Sequence, residues 1–239
     1  MTWRVPRIWE DGEVWIIGGG PSVTTQFGIP DEVVRSVVNG KSPSVYSPYM
    51  SSIHDKHVIG INVAYLIGDW IDMMFFGDGT FLLNYRDRLA KFPGIKISCH
   101  PSVTRYDWIK YLERDTGHVK GISSDPGSVS WNGNSGAAAI SIAANTGAKR
   151  IILLGFDMKL DKEKNKHWHD IYHQREGLLN PNKRQVLPFA RHLIGFPEIA
   201  KDAKRRGIEI INACPDSAID CFKKVAVKDL IDVQVKELV

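Results

Sequence analysis

The chain has 239 residues, of which 43% are hydrophobic and 24% charged, the balance of a soluble globular protein with room for one large α/β domain or two small ones. Net charge is +4 and the pI about 8.9, no apolar run approaches the ~20 residues of a membrane span, and MTWRVPRIWEDGE lacks the apolar core of a signal peptide. Three widely spaced cysteines, Cys99, Cys214 and Cys221, argue against a disulfide framework and for reduced thiols in a cytoplasmic protein.

In chain order, 13–18 (EVWIIG) reads as the first strand and runs directly into GGGPS. Pro30-Asp31-Glu32 opens a short helix, VVRSVV, with proline at a first-turn position. Residues 41–52, rich in Ser, Pro and Tyr, read as a loop or lid and as a surface for homo-oligomer contact. Strands are expected at 58–64 (VIGINVA, ending near Asn62), 71–76 (IDMMFF) and 95–99 (IKISC), with a helix over 81–92 between the last two. Residues 106–112 read as a short helix and 119–122 as a short edge strand.

Residues 134–158, NSGAAAISIAANTGAKRIILLGFDM, form the centre of the pattern. Asn134 or Ser135 caps a helix that has almost no polar face and is therefore buried. Gly147 ends it in a left-handed geometry. RIILLG is then a short apolar run of the kind found in a central parallel strand. A polar, histidine-rich excursion follows at 159–182. A helix over 187–206 is broken near Gly195-Phe196-Pro197. Its basic group (Lys201, Lys204, Arg205, Arg206) suits a solvated face better than a nucleic-acid patch. A last strand at 208–213 and an amphipathic helix at 227–238 complete the chain.

Strands alternating with helices predict an α/β fold: a single Rossmann-like domain with a mostly parallel central sheet covered by helices on both faces. Ligands in such folds sit at the C-terminal ends of strands. Polar and glycine residues collect there: Gly18, Gly19, Gly20, Pro21 and Ser22; Asn62; Asp78; Asp157; and Ser217 in Cys-Pro-Asp-Ser. The glycine turn matches neither GxGxxG nor a P-loop, and reads as a nucleotide-contacting turn or a plain strand-to-loop turn. Asn62 offers donor and acceptor to a base or sugar. Asp78, in Gly-Asp-Gly, suits a ribose hydroxyl or Mg²⁺. Asn62 and Asp78 are also common local turn formers. Ser135 and Gly136 begin the buried helix, whose N-terminal amides attract phosphate. Ser217 reads as a ligand-contacting turn or the cap of a following short helix.

His167, His169 and His173, in HWHDIYH, are the densest ionisable cluster. They suit a base or acid near neutral pH, a phosphate clamp, zinc, or simply an exposed polar loop. No metal site is assigned. His192 is a further base candidate, or a packed structural histidine. There is no Gly-x-Ser-x-Gly elbow or convincing Ser/His/Asp pattern, which argues against a hydrolase triad.

Three blocks in order, IIGGGPSV, SGAAAISIAANTGAKRIILLGFDM and IEIINACPDSAI, resemble the bacterial sialyltransferases that take CMP-sialic acid and their phage-encoded relatives. The pattern also resembles the archaeal 6-hydroxymethylpterin diphosphokinases. The blocks cover roughly a third of the chain. The first resemblance implies a cytidine nucleotide held by the Gly-Pro-Ser turn, Asn62, the Asp78 position and Ser135-Gly136. Gly19 and Asp78 depart from it, since the family has asparagine at both positions. It also implies a general-base histidine between residue 158 and the last strand, placed first in the HWHDIYH group. The expected activity is transfer of a sugar from a nucleotide-sugar to a glycan or modified-nucleotide acceptor. The alternatives are an ATP- and Mg²⁺-dependent diphosphokinase using Asp78 and Asp157, and a non-catalytic nucleotide-binding protein.

Overall fold

The computed structural model describes residues 2–169, 171 and 187–236. Its centre is an eight-stranded sheet in the order β10-β9-β8-β1-β2-β3-β4-β5. These strands are β1 (Glu13–Ile17), β2 (His57–Ile61), β3 (Met73–Phe76), β4 (Ile95–Ser98), β5 (Ile109–Tyr111), β8 (Arg150–Leu154), β9 (Glu209–Asn212) and β10 (Lys223–Lys224). Each neighbouring pair is parallel, as the alternation of strands and helices requires. A small parallel pair, β6 (Glu113–Arg114) and β7 (Ser128–Val129), stands apart.

Side chains alternate between two cores because successive strand residues point to opposite faces. Val14, Ile16, Ile59, Phe75, Ile151 and Leu153 point to one face. That face is covered by α4 (Ser135–Asn145) and α6 (Phe196–Arg206), the latter through Phe196, Ile199 and Ala203. Trp15, Ile17, Val58, Met74, Phe76 and Ile152 point to the other. There α1 (Ser22–Gln26), α2 (Asp31–Val38), α3 (Gly79–Lys91) and the start of α7 (Val227–Lys236) cover the sheet.

Helix α4 packs against β1, β2, β3 and β8. Its alanines let it approach the sheet closely, and all but Gly136 of its residues are buried. The Asn134 side chain accepts a hydrogen bond from the Ala137 amide at 2.8 Å, and Gly147 takes φ +100° just past the helix end.

Several expectations need correction. Residues 43–53 are not an irregular loop but a 3₁₀ helix with Tyr46, Met50 and Ile53 fully buried against the second face. At three residues per turn Met50 and Ile53 share one side, with Tyr46 about a third of a turn away. Strand β2 ends at Ile61, and Asn62–Ile67 is a 3₁₀ turn. The apolar positions Tyr106, Ile109 and Leu112 mimic a helical period. Ile109–Tyr111 is nonetheless strand β5, because the open edge of β4 takes up its backbone groups. No strand forms at 119–122; Ser128–Val129 pairs with β6 instead. The break near Pro197 separates α5 (Phe189–Leu193) from α6. Among the described residues, no helix is long and apolar enough to cross a membrane.

Candidate functional site

Strand order reverses at β1, which has β2 on one side and β8 on the other. Crossovers leave in opposite directions there and open a crevice at the C-terminal strand ends. A cleft of about 220 Å³ occupies that position. Its floor is the Gly18–Gly20 turn after β1, Asn62 after β2, Asp78 after β3, Phe156 and Asp157 after β8, and the first turn of α4 at Ser135 and Gly136. Its rim carries His167, His169, Arg191 and His192.

The glycine turn is shaped by what presses on it. A Cβ on Gly20 would collide with the Asp157 carboxylate and lie 2.6 Å from the Gly155 carbonyl oxygen. A Cβ on Gly19 would lie 2.8 Å from Nδ1 of His167. Pro21 and Ser22 do not line the cleft. Ser22 begins α1, and its amide and hydroxyl donate to the two carboxylate oxygens of Asp157, at 3.1 and 2.8 Å. Burial pushes the Asp157 pKa up, against the opposing effect of these Ser22 hydrogen bonds.

Asn62 has φ +52°, in the left-handed region that asparagine tolerates better than most residues. Its Oδ1 is buried and, among the described residues, has no hydrogen-bond partner. An unsatisfied acceptor of this kind costs roughly 1–3 kcal/mol and calls for an explanation. Asp78 is exposed, at the start of α3, where its side chain makes no cap bond.

The His-Trp-His segment is fastened to the glycine turn. The Trp168 indole donates to the Gly18 carbonyl at 2.9 Å, and its amide donates to Gly19 at 3.1 Å. Nδ1 of His167 donates to the Gly19 carbonyl at 3.2 Å, which places the proton of the neutral ring on Nδ1 and its lone pair on Nε2. The His167 and His169 rings stack with centroids 5.1 Å apart. His169 is buried, whereas His173 lies outside the described residues.

His192 ends up beside α4, with its carbonyl accepting from Nδ2 of Asn134 at 3.0 Å. Burial lowers its pKa to about 4, helped by Arg191 and Lys166 and opposed by Asp78. Ser217 does not line the cleft and caps no helix. Its hydroxyl donates to the Phe156 carbonyl at 2.6 Å and accepts from the Ile219 amide at 3.0 Å, bracing the end of β8.

Among the cleft residues that escaped sequence reasoning are Trp131, Lys159, Lys166 and Arg191. Lys159 directly follows the RIILLGFDM block, and Trp131 directly precedes Asn-Gly-Asn-Ser-Gly. Nearness to those two motifs was the available signal. Mg²⁺ has a thin donor set here. Both oxygens of Asp157 accept from Ser22, and no group of three His, Cys, Asp or Glu side chains among the described residues is placed to hold a metal ion.

Neither protein-family models nor curated proteins give a match to this chain. Solved structures do. The chain is similar to the MAf glycosyltransferase from Magnetospirillum magneticum AMB-1, at 11% identity and a TM-score of 0.55, over 98% of this chain and 37% of that one. It thus spans little more than a third of that protein. It is also similar to the sialyltransferase CstII from Campylobacter jejuni in complex with cytidine-5'-monophosphate, at 14% identity and a TM-score of 0.48, over 91% of this chain and 86% of that one. At 11% identity the likeness to the MAf glycosyltransferase is one of fold.

Proposed function

We propose that the protein is a nucleotide-sugar-dependent glycosyltransferase whose donor lies across the β1–β8 crevice. The observation that carries this reading is the buried Oδ1 of Asn62 at the cleft, which has no partner among the described residues. A base or sugar donor group supplies the hydrogen bond it lacks. The fold shared with a glycosyltransferase and the resemblance of the three sequence blocks to sialyltransferases support the same class.

The donor phosphate meets the first-turn amides of α4 at Ser135 and Gly136, where the helix dipole favours negative charge. Lys159, Lys166 and Arg191 line the same cleft and offset the charge that develops on the leaving nucleotide. His192 takes the proton of the acceptor hydroxyl: its lowered pKa makes it a weaker base than an ordinary imidazole but keeps its lone pair unprotonated at physiological pH. A positioned base of this kind contributes about 10²–10⁴-fold in rate. His167 and Trp168 hold the glycine turn, and His169, stacked on His167, helps wall the donor site.

The test is a thermal-shift series with CMP, UDP, GTP and ATP, followed by nucleotide release from the matching nucleotide-sugar. A nucleotide at 100 times its Kd stabilises the fold by about 2.7 kcal/mol. Absence of any nucleotide response would remove the transferase reading. Response to ATP with Mg²⁺ alone would replace it with the diphosphokinase.

A further inference from the structure

We propose that a second cavity, which shares Asp78 with the cleft, binds an oxyanion carried by the acceptor, either a phosphate or a carboxylate. The acceptor assignment rests on the transferase reading; the oxyanion site itself does not.

This cavity has a volume of about 550 Å³ and lies between the start of α3 and the 3₁₀ turn Pro101–Arg105. Arg105, Arg114, His100 and Ser102 line it, and among the described residues Asp78 is its one carboxylate. Arg114 is held in a defined plane. Its Nη2 donates to the Gly77 carbonyl at 2.7 Å, its Nε donates to Cys99 Sγ at 3.3 Å, and its guanidinium lies 4.0 Å from the centroid of the Trp131 ring. Gly77 precedes Asp78, and Trp131 lines the cleft, so Arg114 braces the partition between the two cavities. Its remaining N–H donors match the planar, bidentate geometry of an oxyanion. Arg105 sits 5.2 Å from the Tyr106 ring centroid. Among the described residues, neither arginine is paired with a carboxylate.

His100 adds a directed donor. Its Nδ1 accepts from the Ser102 amide at 3.2 Å, so the neutral ring carries its proton on Nε2. The ring packs edge-on against Gly79, where a Cβ would lie 2.6 Å from Cε1 and 2.9 Å from Nε2. The polar groups therefore divide by sign. The arginines and His100 suit an anion, and the exposed Asp78 carboxylate between the cavities suits a neutral hydroxyl. An acceptor with both groups, an acidic or phosphorylated sugar, spans the partition with its hydroxyl toward His192 and its anion toward Arg105 and Arg114.

The experiment follows the Nε–Hε resonance of Arg114 by NMR in the full chain, during titration with inorganic phosphate and, separately, acetate. The expected result is a saturable shift with a Kd on the order of 1 mM for one or both. Tighter phosphate binding assigns a phosphorylated acceptor, and tighter acetate binding a carboxylated one. Arg105→Gln is expected to weaken binding at least about fivefold with an unchanged melting temperature. It is the decisive variant, because Arg114→Gln also removes the brace on Gly77. No saturable shift in the wild type, or unchanged affinity in Arg105→Gln, overturns the site. Anion binding that survives while no nucleotide binds removes the transferase reading and leaves the oxyanion site standing.

Discussion

Asp157 and Ser22, far apart in sequence, join the two strands that flank the crevice: the carboxylate after β8 accepts both the amide and the hydroxyl at the start of α1. The cleft floor is held in shape by this pair, and the glycine turn fits between its members. Asp157→Ala removes both acceptors and leaves the buried Ser22 amide unpaired, at a cost of about 1–3 kcal/mol. Asp157→Asn keeps an acceptor for the amide, and its NH₂ can donate to a rotated Ser22 hydroxyl. Chemical denaturation is expected to show a clear loss for Asp157→Ala and a small one for Asp157→Asn. Equal losses would mean that charge, rather than hydrogen bonding, holds the turn.

Gly20→Ala tests the same packing from the other side. The new methyl group meets the Asp157 carboxylate and the Gly155 carbonyl, neither of which can move without breaking the Ser22 bonds or the β8 end. A loss of about 1–3 kcal/mol is expected, as for other overpacked sites. The measurement is the denaturation midpoint, with Gly28→Ala unsuitable as a control because Gly28 has φ +58°.

Asn62→Gly separates function from stability. Glycine accepts φ +52° without strain, and the substitution deletes a buried acceptor that has no partner. The melting temperature is expected to stay level or rise. Nucleotide affinity is expected to fall about tenfold, the worth of one good hydrogen bond to a ligand. Calorimetry with the nucleotide found in the thermal-shift series reads this directly; undiminished affinity would take Asn62 out of the donor site.

The pH profile identifies the base. With a pKa near 4, His192 loses its lone pair only below that pH, so kcat/KM is expected to hold as pH falls through 6.5 and to decline near 4. An acid limb near 6.5 would instead point to an ordinary histidine. The same lowered pKa has a stability consequence. The unfolded chain binds a proton at His192 between about pH 6.5 and 4 that the folded chain does not. This residue's contribution therefore destabilises the fold progressively as pH drops through that window, and His192→Gln should reduce the slope of melting temperature against pH there.

Much of the fold was legible because its signals are local. RIILLG and EVWII are short apolar runs covered on both faces, and the alanines of α4 admit only a buried helix. The end of each such strand marks the crevice, so Gly18–Gly20, Asn62, Asp78 and Ser135-Gly136 were found from strand ends and a helix start. Residues 106–112 misled because an edge strand with apolar positions three apart carries a helical period, and only the neighbouring β4 edge decides between the two.

The amino-acid sequence by itself determined the parallel α/β architecture and the place of the cleft, since periodicity and chain punctuation are properties of neighbouring residues. Only the tertiary structure decided what each polar side chain does there. It gave Asp157 to Ser22, gave Ser217 to the β8 end, fastened His167 and Trp168 to the glycine turn, and set His192 and Arg114 on either side of Asp78. The physical reason is that hydrogen bonds and burial act between residues brought together by the crossovers, at sequence separations where no local pattern survives.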